Sequence, residues 1–188
     1  MRSVALVFLL AVIIIGCAAT IKEFYPDSYF KEDNVYQNKP LRFSLDFQGN
    51  WDIETDPNRM DRGIRKEVRR HQKIGVELLF AGTTTDGLQG VSAVAANLNE
   101  STQKYAEIIR ELNKEYLTAD SGLVDMLING KPIVKWEYSK FDMQYVEFFF
   151  TMDTYNVRVA FWAEAPIFKR FLPVYLTIMS SLDFISRY

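Results

Sequence analysis

Alternating apolar and polar side chains indicate that the folded region begins near residue 41. From residue 41 to residue 47 every second position is apolar, and the positions between are polar. This period of two is typical of a strand that lies with one face on a hydrophobic core. Residues 48–50 then favour a turn, and residues 51–55 begin a second strand.

Three later segments carry the apolar stripe of an amphipathic helix. An Asp-Pro pair at residues 56–57 predicts the start of the first, whose thin stripe indicates a position on the surface. Residues 99–117 carry the clearest stripe. Residues 166–180 follow the same pattern, and we expect Pro173 to kink or restart that helix.

The remaining apolar stretches predict strands joined by tight turns. Asn129 and Gly130 can supply both positive-φ residues of a type I′ hairpin, and Asp153-Thr154 separates two further strands. Strands joined in this way are antiparallel, so the order of elements predicts an α+β fold. Because the late strands are apolar on both faces, we expect a largely antiparallel sheet flanked by helices on both faces, an α/β/α sandwich.

The first seventeen residues have the pattern of a bacterial lipoprotein signal. An unbroken apolar run over residues 4–15 is shorter than the roughly 20 residues that a membrane-spanning helix needs, and it fits the hydrophobic region of a signal peptide. The run ends in Ile14-Ile15-Gly16-Cys17, which resembles a lipobox. The resemblance implies cleavage after Gly16 and a lipid attached to Cys17, so the protein would be anchored to a membrane.

The predicted organisation follows from this signal. We expect a signal peptide over residues 1–16, a lipidated cysteine and tether over residues 17–40, and a single globular α+β domain over residues 41–188. Ala18 stands where aspartate is associated with inner-membrane retention, which favours the periplasmic face of the outer membrane. The alternatives are an ordinary secretory signal and an uncleaved membrane anchor.

The folded region resembles the PsbP-like and Mog-type proteins. The likeness covers roughly residues 41–185 and rests on the opening Phe-Ser-Leu-Asp-Phe strand, Trp51, the mid-chain amphipathic helix, the aromatic hairpin around residues 157–162 and the final helix running into residues 181–184. The resemblance implies a PsbP-like sandwich that serves as a binding or assembly module and has no active site.

Composition narrows the chemistry further. The 22 basic and 24 acidic residues give a net charge of -2, so general binding to nucleic acid is not expected. One cysteine and one histidine exclude an internal disulfide and a metal site built from several such residues. His71 is flanked by Arg69 and Arg70 and is not expected to act as a base. We therefore predict no catalytic residue, no metal site, no cofactor and no enzymatic activity.

A basic segment over residues 59–73 is the first candidate site. It holds seven basic and two acidic residues, a local charge of +5. Such a segment could dock an acidic partner or rest on anionic lipid headgroups, and the alternative is a solvated helix paired with the chain's own acidic surface. The candidate contact residues are Arg62, Arg65, Lys66, Arg69 and Arg70.

The density of aromatic residues after residue 136 suggests a second candidate, a groove for a lipid or quinone lined by Phe149, Trp162 and Tyr175. Two-sided packing of the sheet is the alternative explanation. The leading functional hypothesis is a lipid-anchored periplasmic binding or assembly module for another envelope protein. The second hypothesis is a carrier or sensor of a hydrophobic small ligand.

Overall fold

A computed structural model describes residues 28–185, and these residues form two antiparallel sheets and three α-helices. The smaller sheet has the strand order β1-β2-β3-β11. Its strands are β1 Tyr29–Phe30, β2 Val35–Asn38, β3 Phe43–Asp46 and β11 Asp183–Phe184.

The larger sheet has seven strands in the order β4-β5-β6-β10-β9-β8-β7. Its strands are β4 Trp51–Glu54, β5 Val76–Thr84, β6 Gln89–Ala96, β7 Ala119–Ile128, β8 Lys131–Lys140, β9 Met143–Met152 and β10 Tyr155–Glu164. The helices are α1 Arg62–Gln72, α2 Thr102–Asn113 and α3 Ala165–Ser180, with short 3₁₀ helices at Pro57–Arg59 and Lys114–Tyr116.

The two faces of the larger sheet have separate hydrophobic cores. On β9, Phe148 and Phe150 point into a core shared with α3 and the smaller sheet, whereas Phe149 points into a core with Tyr105 of α2. A mixed, antiparallel fold is therefore confirmed. The predicted α/β/α sandwich did not include the smaller sheet. This sheet and α3 together cover one face of the larger sheet.

The predicted strands around residues 48–50 exist, but they do not pair with each other. Strand β3 belongs to the smaller sheet, while β4 is the edge strand of the larger one. The rings of Phe47 and Trp51 lie 5.9 Å apart across the turn. The chain therefore crosses between the two sheets here, and both strands contribute apolar side chains to the same core.

The expected tether over residues 17–40 is wrong for residues 28–40. Tyr36 and Asn38 pair with β3 and are fully buried. The Asn38 amide donates to the Tyr36 hydroxyl at 2.8 Å, and its carbonyl accepts from the Leu41 backbone N–H at 2.8 Å. Strand β2 is only four residues long, so its period was too short to detect. Residues 17–27 of the predicted tether lie outside the described residues.

Two local predictions have opposite outcomes. Asn129 and Gly130 have φ values of 48° and 76°, which confirms the predicted hairpin turn. Helix α3 continues through Pro173, so a restart there is wrong. The buried side chains of Phe168 and Tyr175 lie on either side of Pro173, and their packing on the sheet holds the helix together across the lost backbone hydrogen bond.

The larger sheet has two ends that matter for the sites. One end, called the entry end because the chain enters the larger sheet there at Trp51, carries the turns at residues 48–50, 85–88 and 141–142. Lys31 Nζ lies 3.7 Å from Asp52 Oδ1 at this end. The opposite end carries the turns at residues 129–130 and 153–154 together with the end of the described chain, where Asn129 Nδ2 donates to the Leu182 carbonyl at 2.6 Å.

Candidate functional site

The basic segment forms helix α1, which lies on the surface beside β5. Asp56 caps only the short preceding 3₁₀ helix, where it accepts from the Asn58 N–H at 2.8 Å, and α1 begins at Arg62, so the predicted start of the helix at the Asp-Pro pair is wrong. Val68 is the one buried residue of α1. At the C-terminal end, Gln72 Nε2 donates to Glu77 Oε2 on β5 at 3.2 Å. The existence of the helix and its surface position are confirmed, whereas its start was predicted too early.

The positive charge of α1 is left largely unneutralised by the described part of the chain. Arg70 lies 3.7 Å from Glu67, an exposed pair that contributes at most about 1 kcal/mol. Among residues 28–185, no carboxylate lies within ion-pair distance of Arg62, Arg65, Lys66 or Arg69. Helix α1 therefore presents a basic face to solvent rather than to an acidic surface of its own domain.

The predicted groove residues do not come together. Phe149 is fully buried on the α2 side, with its ring 5.7 Å from that of Tyr105. Tyr175 is fully buried on the opposite side, stacked on Phe161 at 4.9 Å. Trp162 is partly exposed on the α2 side. The prediction that these three line one groove is wrong, because the sheet separates Phe149 and Trp162 from Tyr175.

Burial affects the chemistry of the tyrosine on the α3 side. Desolvation raises the pKa of the Tyr175 hydroxyl well above its usual range, so it stays protonated. The hydroxyl donates to the main-chain carbonyl of Trp162 at 3.3 Å. Tyr175 thus connects α3 to β10. Packing of the α3-side core explains why the chain has an aromatic residue at this position.

A buried polar cluster on the α2 side was not predicted. The Tyr138 hydroxyl donates to Glu147 Oε1 at 2.9 Å, and Arg158 Nη1 lies 3.6 Å from the same oxygen. Only 2% of Glu147 is exposed. Burial first, and then the Glu147 carboxylate that accepts its hydrogen bond, raise the pKa of Tyr138 far above its usual range. The cluster holds a neutral phenol and an ion pair across strands β8, β9 and β10.

The sequence did carry a signal for this cluster. Two-residue turns at residues 141–142 and 153–154 fix the register of three consecutive strands. In that register Glu147 lies opposite Trp136 and Ala160, which places it diagonal to Tyr138 and Arg158. The signal was one charged residue at an inward-facing position of each of two otherwise apolar strands, Glu147 on β9 and Arg158 on β10.

A row of aromatic rings runs beside the polar cluster. Tyr138 stacks on Trp136 at 4.0 Å and on Tyr145 at 4.9 Å, and Trp162 follows Tyr145 at 6.3 Å. Trp136 Nε1 donates to Asp120 Oδ1 at 2.9 Å. The row therefore continues from the middle of the sheet to the outer strand β7.

Asp120 connects this row to helix α2. Arg110 of α2 donates to Asp120 Oδ2 at 2.8 Å, and the Gly122 N–H donates to Oδ1 at 2.9 Å. Partial burial works to raise the pKa of Asp120, but the hydrogen bonds from Trp136, Gly122 and Arg110 outweigh it, so the pKa lies below its ordinary value. Asp120 is thus a stable carboxylate that joins α2, β7 and β8.

The described residues hold neither a cluster of metal ligands nor a membrane-spanning helix. Across residues 28–185, no three side chains of His, Cys, Asp or Glu come together as metal ligands. No helix in this same stretch is long and apolar enough to cross a bilayer. Gly16 and Cys17, the predicted cleavage and lipid-attachment residues, lie outside the described residues.

Comparison with known proteins identifies the fold. No family model and no curated protein sequence matches this chain. Its structure is similar to the solution structure of cyanobacterial PsbP from Synechocystis sp. PCC 6803, with a TM-score of 0.55 over 80% of this chain and 91% of that chain. The two sequences are 8% identical, so the likeness concerns the fold alone. This protein has a PsbP-like fold, as the sequence resemblance implied.

Proposed function

We propose that this protein is a lipid-anchored, non-catalytic binding module of the bacterial cell envelope, which docks an acidic surface of another envelope protein through helix α1. The observation that carries the proposal is the unneutralised basic face of α1. Four of its cations, Arg62, Arg65, Lys66 and Arg69, have no carboxylate partner within residues 28–185. A complementary acidic surface would steer association and select the partner.

A tether of the predicted length would leave α1 accessible to a protein partner. The helix leads into β5 at the opposite end of the larger sheet, where the Asn97 N–H donates to the Gly75 carbonyl at 3.3 Å. The first described strand, β1, runs toward the entry end, because Phe30 pairs with Val35 and the Ser28 carbonyl accepts from the Gln37 N–H at 2.7 Å. A lipid on Cys17 would be joined to Ser28 through residues 17–27, which reach roughly 38 Å when fully extended.

The lipid anchor is the part of the proposal that rests on the lipobox. Two or three acyl chains on Cys17 would hold the protein durably in one leaflet, and we place it on the periplasmic face of the outer membrane. Metabolic labelling with a fatty-acid probe tests this step. We expect the full chain to be labelled and the Cys17→Ser variant to be unlabelled, and an unlabelled parent chain would contradict the anchor.

Crosslinking in the native envelope tests the docking surface. The test variant removes four charges from α1 through Arg65→Gln, Lys66→Gln, Arg69→Gln and Arg70→Gln. The matched control removes four exposed charges elsewhere through Lys104→Gln, Lys114→Gln, Lys169→Gln and Arg170→Gln. We expect the α1 variant to lose about tenfold or more of the crosslinked partner while the control retains it. Equal capture by both variants would contradict docking through α1.

The second hypothesis, a carrier or sensor of a hydrophobic small ligand, has no observation in its favour at the predicted residues. Phe149 and Tyr175 are fully buried in different cores. Their exposure to a ligand would require the sheet to separate from α2 on one face and α3 on the other. We therefore propose protein docking as the function.

A further inference from the structure

Four basic residues of α1 form a straight row along the helix. With 3.6 residues per turn, positions i, i+4, i+7 and i+11 of a helix fall within an arc of roughly 60°. The residues at these positions are all basic and all exposed, and we call them the cation row: Arg62, Lys66, Arg69 and Lys73. Val68, the buried residue of α1, lies about 130° around the helix from the middle of the row. The cation row therefore faces solvent.

No carboxylate of the described domain neutralises the cation row. Among residues 28–185, none of its four side chains lies within ion-pair distance of Asp or Glu. Glu67, the acidic residue of α1, lies off the row and pairs with Arg70 at 3.7 Å. Within the row, residues three or four positions apart carry like charges and repel one another. Carboxylates from another molecule would relieve this repulsion.

Helix α2 shows the arrangement that α1 lacks. The two helices are similar in length, with 12 residues in α2 and 11 in α1. The basic side chains of α2 and its C-cap all have acidic partners: Lys104 with Glu107 at 3.9 Å, Arg110 with Asp120 at 2.8 Å and Lys114 with Glu111 at 3.4 Å. An ordinary solvated helix of this domain is thus neutralised locally, and α1 differs from it.

The helix dipole accounts for only part of the cation row. Arg69 lies in the last turn of α1, where the dipole favours a cation. Arg62 is the first residue of α1, and no acidic residue lies in the first turn. The dipole disfavours a cation at this N-terminal position. Neither the dipole nor an ion pair within residues 28–185 explains Arg62.

The spacing of the cation row matches that of an α-helix. At a rise of 1.5 Å per residue, its intervals are about 6, 4.5 and 6 Å, roughly 16.5 Å in all. A partner helix with carboxylates at its own positions i, i+4, i+7 and i+11 repeats these intervals, so all four charges meet in one alignment. An extended strand spaces the side chains of one face about 6.7 Å apart and would be out of step by about 4 Å at the end of the row.

We propose that the cation row binds an acidic α-helix of the partner protein, which carries its carboxylates in a straight stripe along one side. The inference rests on the docking through α1 in the proposed function and names the kind of surface that docks. Each exposed ion pair is weak alone. Selection of the partner therefore depends on several pairs that form in one register, which scattered negative charge does not provide.

Two synthetic peptides test the register. Both are helical, and both are built from the same numbers of Glu, Ala and Gln. The striped peptide carries four Glu at positions i, i+4, i+7 and i+11, and the scattered peptide distributes the same four Glu around the helix. Fluorescence anisotropy measures their binding to the full chain in non-ionic detergent at low ionic strength. We expect the striped peptide to bind roughly tenfold or more tightly than the scattered one.

A charge exchange within α1 tests the row itself. Lys66→Glu with Glu67→Lys moves one positive charge off the row, while the composition and net charge of the chain stay the same. Both residues are exposed, so we expect an unchanged circular dichroism spectrum. The affinity for the striped peptide should fall about tenfold, to that of the scattered peptide. The matched control, Lys104→Glu with Glu107→Lys, exchanges an exposed pair on α2 and should leave the affinity unchanged.

The outcomes separate this inference from the proposed function. If both peptides bind equally and the exchange in α1 has no effect, docking through α1 stands and the helical complement is overturned. If neither peptide binds, the helical complement is also overturned, and the crosslinking experiment decides separately whether α1 docks a protein. Tighter binding of an extended peptide with Glu at alternate positions, or of short-chain phosphatidylglycerol, would likewise overturn the assignment of an acidic helix.

Discussion

The two faces of the larger sheet are built on different physical principles. The face toward α3 is a continuous apolar core in which Phe43, Phe148, Phe161 and Tyr175 are fully buried among other rings and aliphatic side chains. The face toward α2 has a smaller core, and beside it Glu147 binds Tyr138 and Arg158. The first face stabilises the domain through buried area, and the second adds polar groups that accept few alternative arrangements.

This difference indicates how the sheet selects its register. Strands β9 and β10 are apolar on both faces, so a slip of one residue would still bury apolar side chains on either side. The same slip would move Glu147 into the α3-side core, where it would lose its hydrogen bond from Tyr138 and its ion pair with Arg158. The polar cluster therefore specifies the register that the apolar face alone leaves open.

Truncating a ring on the α3 side has the largest expected effect. Phe161 is fully buried, stacks on Tyr175 at 4.9 Å and lies 6.3 Å from Trp51. We expect Phe161→Ala to lower the free energy of unfolding by about 3–5 kcal/mol, because it removes buried area and leaves a cavity. Denaturant unfolding followed by circular dichroism measures it. Leu127→Ala is the control, since Leu127 is 72% exposed and its loss costs at most about 0.5 kcal/mol.

The features that follow from local pattern were predictable from sequence. Consecutive phenylalanines at 148 and 149 indicated that the sheet is covered on both faces, and the structure places them in different cores. Asn129-Gly130 indicated its hairpin turn, and the spacing in residues 56–73 indicated a surface helix. Each of these depends on neighbours a few positions apart, where backbone geometry decides the outcome.

The features that depend on distant contacts were not predictable in the same way. Tyr36 is one buried ring in a four-residue strand, and only pairing with β3 gives it a core position. The predicted groove failed because Tyr175 comes from a helix whose side of the sheet no local pattern reveals. The Glu147 cluster is intermediate between the predictable and the unpredictable features. Its residues are distant in sequence, but the two-residue turns fix the register that brings them together.

Breaking the ion pair on the α2 side has the second largest expected effect. Arg158→Met leaves the Glu147 carboxylate buried with the Tyr138 hydroxyl as its hydrogen-bond donor. We expect a loss of about 3 kcal/mol in the free energy of unfolding, because a buried charge without its counter-ion is strongly unfavourable.

The double variant Arg158→Met with Glu147→Leu separates the cost of an unpaired charge from the worth of the pair. We expect it to be within about 1 kcal/mol of the parent protein, so the two changes together cost less than Arg158→Met alone. If the costs of the two single changes simply add, the coupling energy between Arg158 and Glu147 is zero, and the contrast between the two faces is smaller than we infer.

The smallest of these effects comes from the close contact of Gly90 with Trp162 on the α2 side. A Cβ atom added at Gly90 would overlap the indole ring of Trp162, which lies directly over this backbone. We expect Gly90→Ala to lower the free energy of unfolding by about 2 kcal/mol and to change the near-ultraviolet circular dichroism, because the ring must move.

Gly63→Ala is the matched control, since an added Cβ at Gly63 in α1 has no atom within 4 Å. Alanine favours a helix over glycine by about 1 kcal/mol, so this control should stabilise the domain and leave the aromatic signal unchanged. If Gly90→Ala lowers and Gly63→Ala raises the free energy of unfolding, the apolar part of the α2 side is closely packed. Polar groups would then not be the only feature that fixes the structure of this face. Equal stabilisation by both would mean that Trp162 rotates freely off Gly90, and that the register on this face depends on the Glu147 cluster alone.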